Sequence, residues 1–176
     1  MRHQFNDDIA PTEIYTKTGT ICVGNPNHTP GQEPLAMTSD EFRDCMRDAL
    51  HGIRTHQRPL LTDIRFISPI KLEEDARDLF DSASQMTEIR SVTGLENLDT
   101  SNVTDMTRMF SGLYHLENVD MSKLDTSNVT NMSYMFSNCM SLDTVNLPEN
   151  GLTNVSDVSG MFSVCISLRE IDLSGY

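Results

Sequence analysis

From Leu98 onward the chain repeats itself every 26 residues, and no other feature restricts its fold as much. Val103, Val129 and Val155 follow this step, and so do Phe110, Phe136 and Phe162, then Leu116, Leu142 and Leu168. Met109, Met135 and Met161 keep it as well, as do Val119, Val145 and Ile171, and Met121, Leu147 and Leu173. No insertion or deletion interrupts the three units. A unit this short cannot enclose a core alone, so each must lay its apolar side against the next.

Each unit reads in two halves. In Val103-x-x-Met106-x-x-Met109-Phe110, with Leu113 following, the apolar residues gather on one side of a short helix. In Leu116-x-x-Val119-x-Met121 the pattern changes to alternation, which predicts a short strand with one face inward. Upstream, Leu79-Phe80 takes the Met-Phe position and Met86-x-x-Ile89 takes that of Leu116-x-x-Val119, with extra residues around Gly94-Leu95-Glu96-Asn97. Leu61-x-x-Ile64-x-Phe66 adds a further strand pattern, which brings the expectation to about five strands. One strand and one helical turn per unit is the leucine-rich repeat arrangement. The expected fold class is therefore an α/β solenoid over residues 58–176, a leucine-rich repeat ladder with short parallel strands on the concave side and short helices on the convex side.

Residues 1–57 read differently. Ile14-Tyr15-Thr16-Lys17 and Thr20-Ile21-Cys22-Val23 flank Thr18-Gly19 and predict a β-hairpin. A proline-rich loop follows from Asn25 to Pro34. Thr38-Ser39-Asp40-Glu41 then has the form of a capping box, ahead of an apolar stripe of Phe42, Cys45, Met46, Ala49, Leu50 and Ile53 at helical spacing. Such a helix is suited to cap the open end of a stack.

The segment Leu98-Asp99-Thr100-Ser101-Asn102-Val103-Thr104-Asp105-Met106 through Met109-Phe110-Ser111 returns as Leu124-Asp125-Thr126-Ser127-Asn128-Val129-Thr130-Asn131-Met132 through Met135-Phe136-Ser137. It resembles the repeat of BspA-like leucine-rich surface proteins of bacteria. The resemblance is strong over residues 98–176, loose over 61–97 and absent from 1–57. It implies a secreted or surface-attached solenoid that works by adhesion or protein binding, without catalysis. The first residues, Met1-Arg2-His3-Gln4-Phe5-Asn6-Asp7-Asp8, have no apolar core of a signal peptide, so a cytoplasmic location is the alternative.

Composition narrows the function. A formal charge of −13 disfavours direct contact with nucleic acid or anionic lipid. No run reaches the roughly 18 apolar residues of a membrane span. The five His residues keep no ligand spacing with thiols or carboxylates, and no phosphate loop, nucleophile elbow or paired-carboxylate motif occurs. The chain therefore reads as no enzyme, with no metal and no cofactor. Cys139 and Cys165 share one repeat position, which would set their sulfurs on adjacent rungs. A disulfide is conceivable there, but Leu113 in the preceding unit marks the slot as buried and apolar, which favours packed thiols. Asn102, Asn128 and Asn154 recur ahead of the helical half, where an amide can satisfy turn backbone.

The candidate binding surface is the outward side of the strands. Alternation about Val119 and Met121 turns Asn118 and Asp120 outward, and the same logic exposes Thr144 and Asn146, then Glu170 and Asp172. Upstream, Glu88 and Arg90 join them, with Asp63 and Arg65 beyond. Stacked, these residues form a polar concave face of the kind solenoids offer to protein or glycan partners. A different class of function is also open, an intracellular acidic inhibitor or decoy, phage-borne in one version, that blocks a basic partner such as a nuclease. The last strand pattern, Leu168-x-x-Ile171-x-Leu173, precedes no capping helix, so an end-to-end homodimer through that rung is a further expectation.

Overall fold

The computed structural model describes residues 14–17, 20–24, 27–51, 61–80, 88–148, 151–169 and 171. Its strands are β1 (Ile14–Lys17), β2 (Thr20–Val23), β3 (Leu35–Met37), β4 (Asp63–Phe66), β5 (Ile70–Leu72), β6 (Ser91–Thr93), β7 (Leu98–Asp99), β8 (Asn118–Asp120) and β9 (Thr144–Asn146). One α-helix, α1 (Ser39–His51), lies between β3 and β4, and a 3₁₀ turn covers Leu95–Asn97. Two sheets result, one in the order β1-β2-β4-β6-β8-β9 and one in the order β3-β5-β7. Apart from the antiparallel pair β1 and β2, every pairing between these strands is parallel. The architecture is a mixed α/β arrangement dominated by parallel strands.

The 26-residue step reappears directly in the pairing. Asn118 lies opposite Thr144, Val119 opposite Val145 and Asp120 opposite Asn146. On the inward side the rings of Phe80, Phe110, Phe136 and Phe162 form a column, with centroids 5.1, 5.2 and 5.5 Å apart in succession. The later pairs are parallel to within 1°. Because identical side chains recur at identical positions, each ring meets its own counterpart from the neighbouring unit. The core is one continuous cluster running from Ile21 to Met161.

The N-terminal hairpin forms as expected, with Ile14 opposite Val23 and Lys17 opposite Thr20, and β2 then pairs with β4 in parallel. The capping box also forms. The Thr38 N–H donates to Glu41 Oε2 at 2.8 Å, and the Glu41 N–H donates to Thr38 Oγ1 at 3.2 Å. The helix so started buries Phe42 and Met46 completely. Phe42 lies 5.9 Å from both Phe66 and Phe80, so α1 covers that end of the aromatic column. The Ser39 hydroxyl donates to Asp75 Oδ1 at 2.6 Å and ties the helix start to the following units.

The short helices expected in the first half of each unit are not there. Residues 107–112 and 133–138 form turns instead. An α-helix would send each N–H to the carbonyl four residues back. Here Met106, Arg108, Phe110 and Gly112 send theirs to Asn131, Ser133, Met135 and Ser137 of the next unit, at 2.8–3.1 Å. Between these bonds the backbone swings into the left-handed region at Arg108 (φ 55°) and Tyr134 (φ 56°), which no α-helix tolerates. The apolar spacing reported which side chains face inward, and stacked turns satisfy that spacing as well as a helix does.

The strand count is also larger than the expected five. The additional strands belong to the smaller sheet, β3, β5 and β7, which the 26-residue pattern does not mark: β3 and β5 lie upstream of Leu98, and β7 is two residues long. Upstream the register moves by three positions: Val92, and not Ile89, lies opposite Val119. Met86, and residues 170, 172 and 173 of the last strand pattern, lie outside the described residues.

Candidate functional site

On the larger sheet β6, β8 and β9 each carry one inward apolar residue, Val92, Val119 and Val145, between two polar ones, and Ile64 stands between Asp63 and Arg65 in β4. Asp63, Ser91, Asn118 and Thr144 stand opposite one another in sequence along one file. Arg65 pairs with Thr93, and Asp120 with Asn146, on the other. Adjacent strands lie about 4.8 Å apart, so the files are spaced regularly across the sheet. Asn118, Asp120, Thr144 and Asn146 are all exposed, while Val119 between the first two is only 2% exposed.

The polar groups on this face are held in place. The Ser91 hydroxyl donates to the Asp63 carboxylate, which also accepts from Thr62 Oγ1 at 2.7 Å. The Ser122 N–H donates to Asp120 Oδ1 at 3.0 Å. That backbone bond, aided by the Ser122 and Asn146 side chains and by the Lys123 charge, holds the Asp120 carboxyl below the ordinary carboxylate range. Asp120 is thus an oriented, ionised acceptor across the whole neutral range.

Glu88 and Arg90 sit just ahead of β6 and do not occupy its outward positions, which belong to Ser91 and Thr93. Arg90 pairs with Glu117 at 2.9 Å, and Glu88 approaches His115 at 4.0 Å. Glu170 and Asp172 lie outside the described residues. Sequence reasoning passed over Ser91 and Thr93; the signal was Val92, an apolar residue between two small hydroxyl residues, hidden by the extra residues that displaced the register.

The recurring Asn residues serve the stack. Asn128 Nδ2 donates to the Ser101 carbonyl at 2.7 Å, and Asn154 Nδ2 repeats the bond to Ser127 at 2.5 Å. Cys139 and Cys165 are free thiols that also bond across units. Their S–H groups donate to the carbonyls of Phe110 and Phe136 at 3.1 and 3.0 Å. Burial pushes the Cys139 thiol up to about 12, so it is a packing group and not a nucleophile.

Among the described residues no group of three or more His, Cys, Asp or Glu is placed to hold a metal ion. No helix among them is long and apolar enough to cross a membrane. Fold and face together define a protein of stacked parallel-strand units that presents ordered polar files outward. The chain belongs to the family described as "Mycoplasma protein of unknown function, DUF285", whose family model matches residues 74–175 and so takes in every strand from β6 to β9. No curated protein and no solved structure matches the chain.

Proposed function

We propose that the chain is a leucine-rich repeat solenoid of the BspA-like kind, and that it is a non-enzymatic binding module for a protein or glycan partner, displayed at the cell surface or secreted. The observation that carries this reading is the pair of polar files on consecutive parallel strands, where Asn118, Asp120, Thr144 and Asn146 are exposed and regularly spaced over a buried apolar layer. Polar side chains in fixed register on a rigid sheet offer donors and acceptors at low ordering cost, which favours recognition of an extended surface. The strands underneath take their stability from the inward side, so the outward residues are free to serve a partner.

The test uses a triple variant, Asn118→Ala with Thr144→Ala and Asn146→Ala, beside the parent chain on an array of immobilised glycans and extracellular proteins. The variant keeps the parent melting temperature and loses the bound spots. Spots retained in full by a folded triple variant overturn the assignment of the face.

A further inference from the structure

Every outward file but one is polar in at least one of the three units. The exception among the described residues is Tyr114, Met140 and Ile166, which are 40%, 38% and 77% exposed. They are related by the 26-residue step and hold one position in successive units, four residues ahead of the outward strand file that begins at Asn118 and Thr144. Tyr114 and Met140 belong to units with a neighbour on each side, so their exposure is a property of the position. The Ser141 N–H donates to the Tyr114 carbonyl at 3.1 Å, which keeps the ridge in step from one unit to the next.

Charged residues separate this ridge from the strand face. Glu117 and Asp143 occupy the next exposed file beside Tyr114 and Met140, brought side by side by the bond from the Asp143 N–H to the Glu117 carbonyl at 2.8 Å, and Arg169 holds that position beside Ile166. Arg90 approaches Glu117 at 2.9 Å, and Asp120 lies further along β8. Beside Met140 the surface therefore changes from apolar to anionic over a few residues, at Asp143 and Asp120, in a chain whose formal charge is −13.

Resting on the binding function proposed above, we infer that the partner is a polypeptide presenting apolar side chains flanked by Lys or Arg, with the apolar groups seated on Tyr114, Met140 and Ile166 and the cations on Asp143 and Asp120. Tyr and Met are among the side chains enriched at protein interfaces, and desolvated apolar anchors supply most of the energy in such contacts. A sugar chain finds a single ring on which a pyranose can stack, that of Tyr114, since Met140 and Ile166 have none. A cationic partner is favoured by charge complementarity, which also speeds its encounter at low salt.

The probe is a synthetic peptide of about 18 residues with Leu at helical i, i+3, i+4, i+7 spacing and Lys elsewhere. Its Ser/Lys and Leu/Glu counterparts and a chitosan oligosaccharide serve as controls, titrated by calorimetry against the parent chain. The Leu/Lys peptide binds best, and Tyr114→Ser with Met140→Ser weakens it by about tenfold or more while circular dichroism and melting temperature stay unchanged. Equal binding of the Ser/Lys peptide or of chitosan, or full affinity in the folded ridge variant, overturns the inference. The Asn118→Ala, Thr144→Ala and Asn146→Ala variant, which keeps every carboxylate, separates the two proposals. If it loses its array partners while the ridge variant keeps them, the ridge assignment falls and the strand-face reading stands. If only the ridge variant loses them, the strand-face reading falls.

Discussion

Replacing Phe136 by Ala tests the aromatic column at its centre. Phe136 is fully buried, with Phe110 at 5.2 Å on one side and Phe162 at 5.5 Å on the other, both rings nearly parallel to it. A core Phe→Ala change costs about 3–5 kcal/mol. Each aromatic pair adds about 0.5–1.5 kcal/mol beyond area, and Phe136 loses two such pairs, so its cost falls near the upper end of that range. Phe162 is only partly buried and stacks on Phe136, so Phe162→Ala is the milder change, at about 2–3 kcal/mol. For a chain of this size 1 kcal/mol moves the melting temperature by about 2–4 °C, which sets an expected drop of about 10–20 °C for Phe136→Ala. The chain has no Trp, so far-ultraviolet circular dichroism during thermal and urea unfolding is the assay. Phe136→Leu keeps most of the volume and forfeits the stacking, and belongs between parent and Ala variant. A Phe136→Ala protein melting with the parent, or a larger loss at Phe162 than at Phe136, refutes the stacking register.

Val164 occupies the left-handed region with φ 61° and is 47% exposed, whereas the same position of the preceding unit is Asn138. Because β-branched residues are strained there, Val164→Asn raises stability by about 1 kcal/mol, read as an increase in melting temperature. Asp75, Asp99, Asp120 and Asp157 all titrate below the ordinary value of 3.8; burial opposes this at Asp75 and Asp99, but hydrogen bonds from Ser39, Arg77 and Ser101 outweigh it. Their folded values lie below the unfolded one, so the stabilisation they supply is complete above about pH 4 and is lost as pH falls through the folded values; melting temperature measured from pH 7 to pH 2 drops only below about pH 4. Cys139 has the opposite sign: its thiol goes from 9.0 to about 12 in the folded chain, so stability falls as pH rises between those values, and Cys139→Val flattens that alkaline loss.

The repeat was legible because no insertion disturbs it after Leu98, and Val103, Phe110 and Val119 face inward with their counterparts as the pattern requires. The hairpin and α1 were legible for a local reason, a two-residue turn between alternating strands and a Thr38/Glu41 box ahead of an amphipathic stripe. The turns were not. Spacing of three, three and one among Val103, Met106, Met109 and Phe110 distinguishes inside from outside but not helix from stacked turn, because the deciding bonds run from Arg108 to Ser133 and from Phe110 to Met135 in another unit. A hint existed in Gly112 and Gly160, which hold left-handed positions that Arg108, Tyr134 and Asn138 share without the glycine signal. On the candidate face, Asn118, Asp120, Thr144 and Asn146 followed from alternation alone, while Ser91 and Thr93 were masked by a register shift whose length no local pattern encodes.

Through-space proton contacts in an isotopically labelled sample test the stacking of units most directly. Cross-strand contacts between Val119 and Val145 and between Asn118 and Thr144 are expected, with ring contacts between Phe110 and Phe136 and no run of contacts to the fourth residue along 106–113. A continuous helical pattern over 106–113, with the contacts between residues 26 positions apart missing, would contradict the stacking.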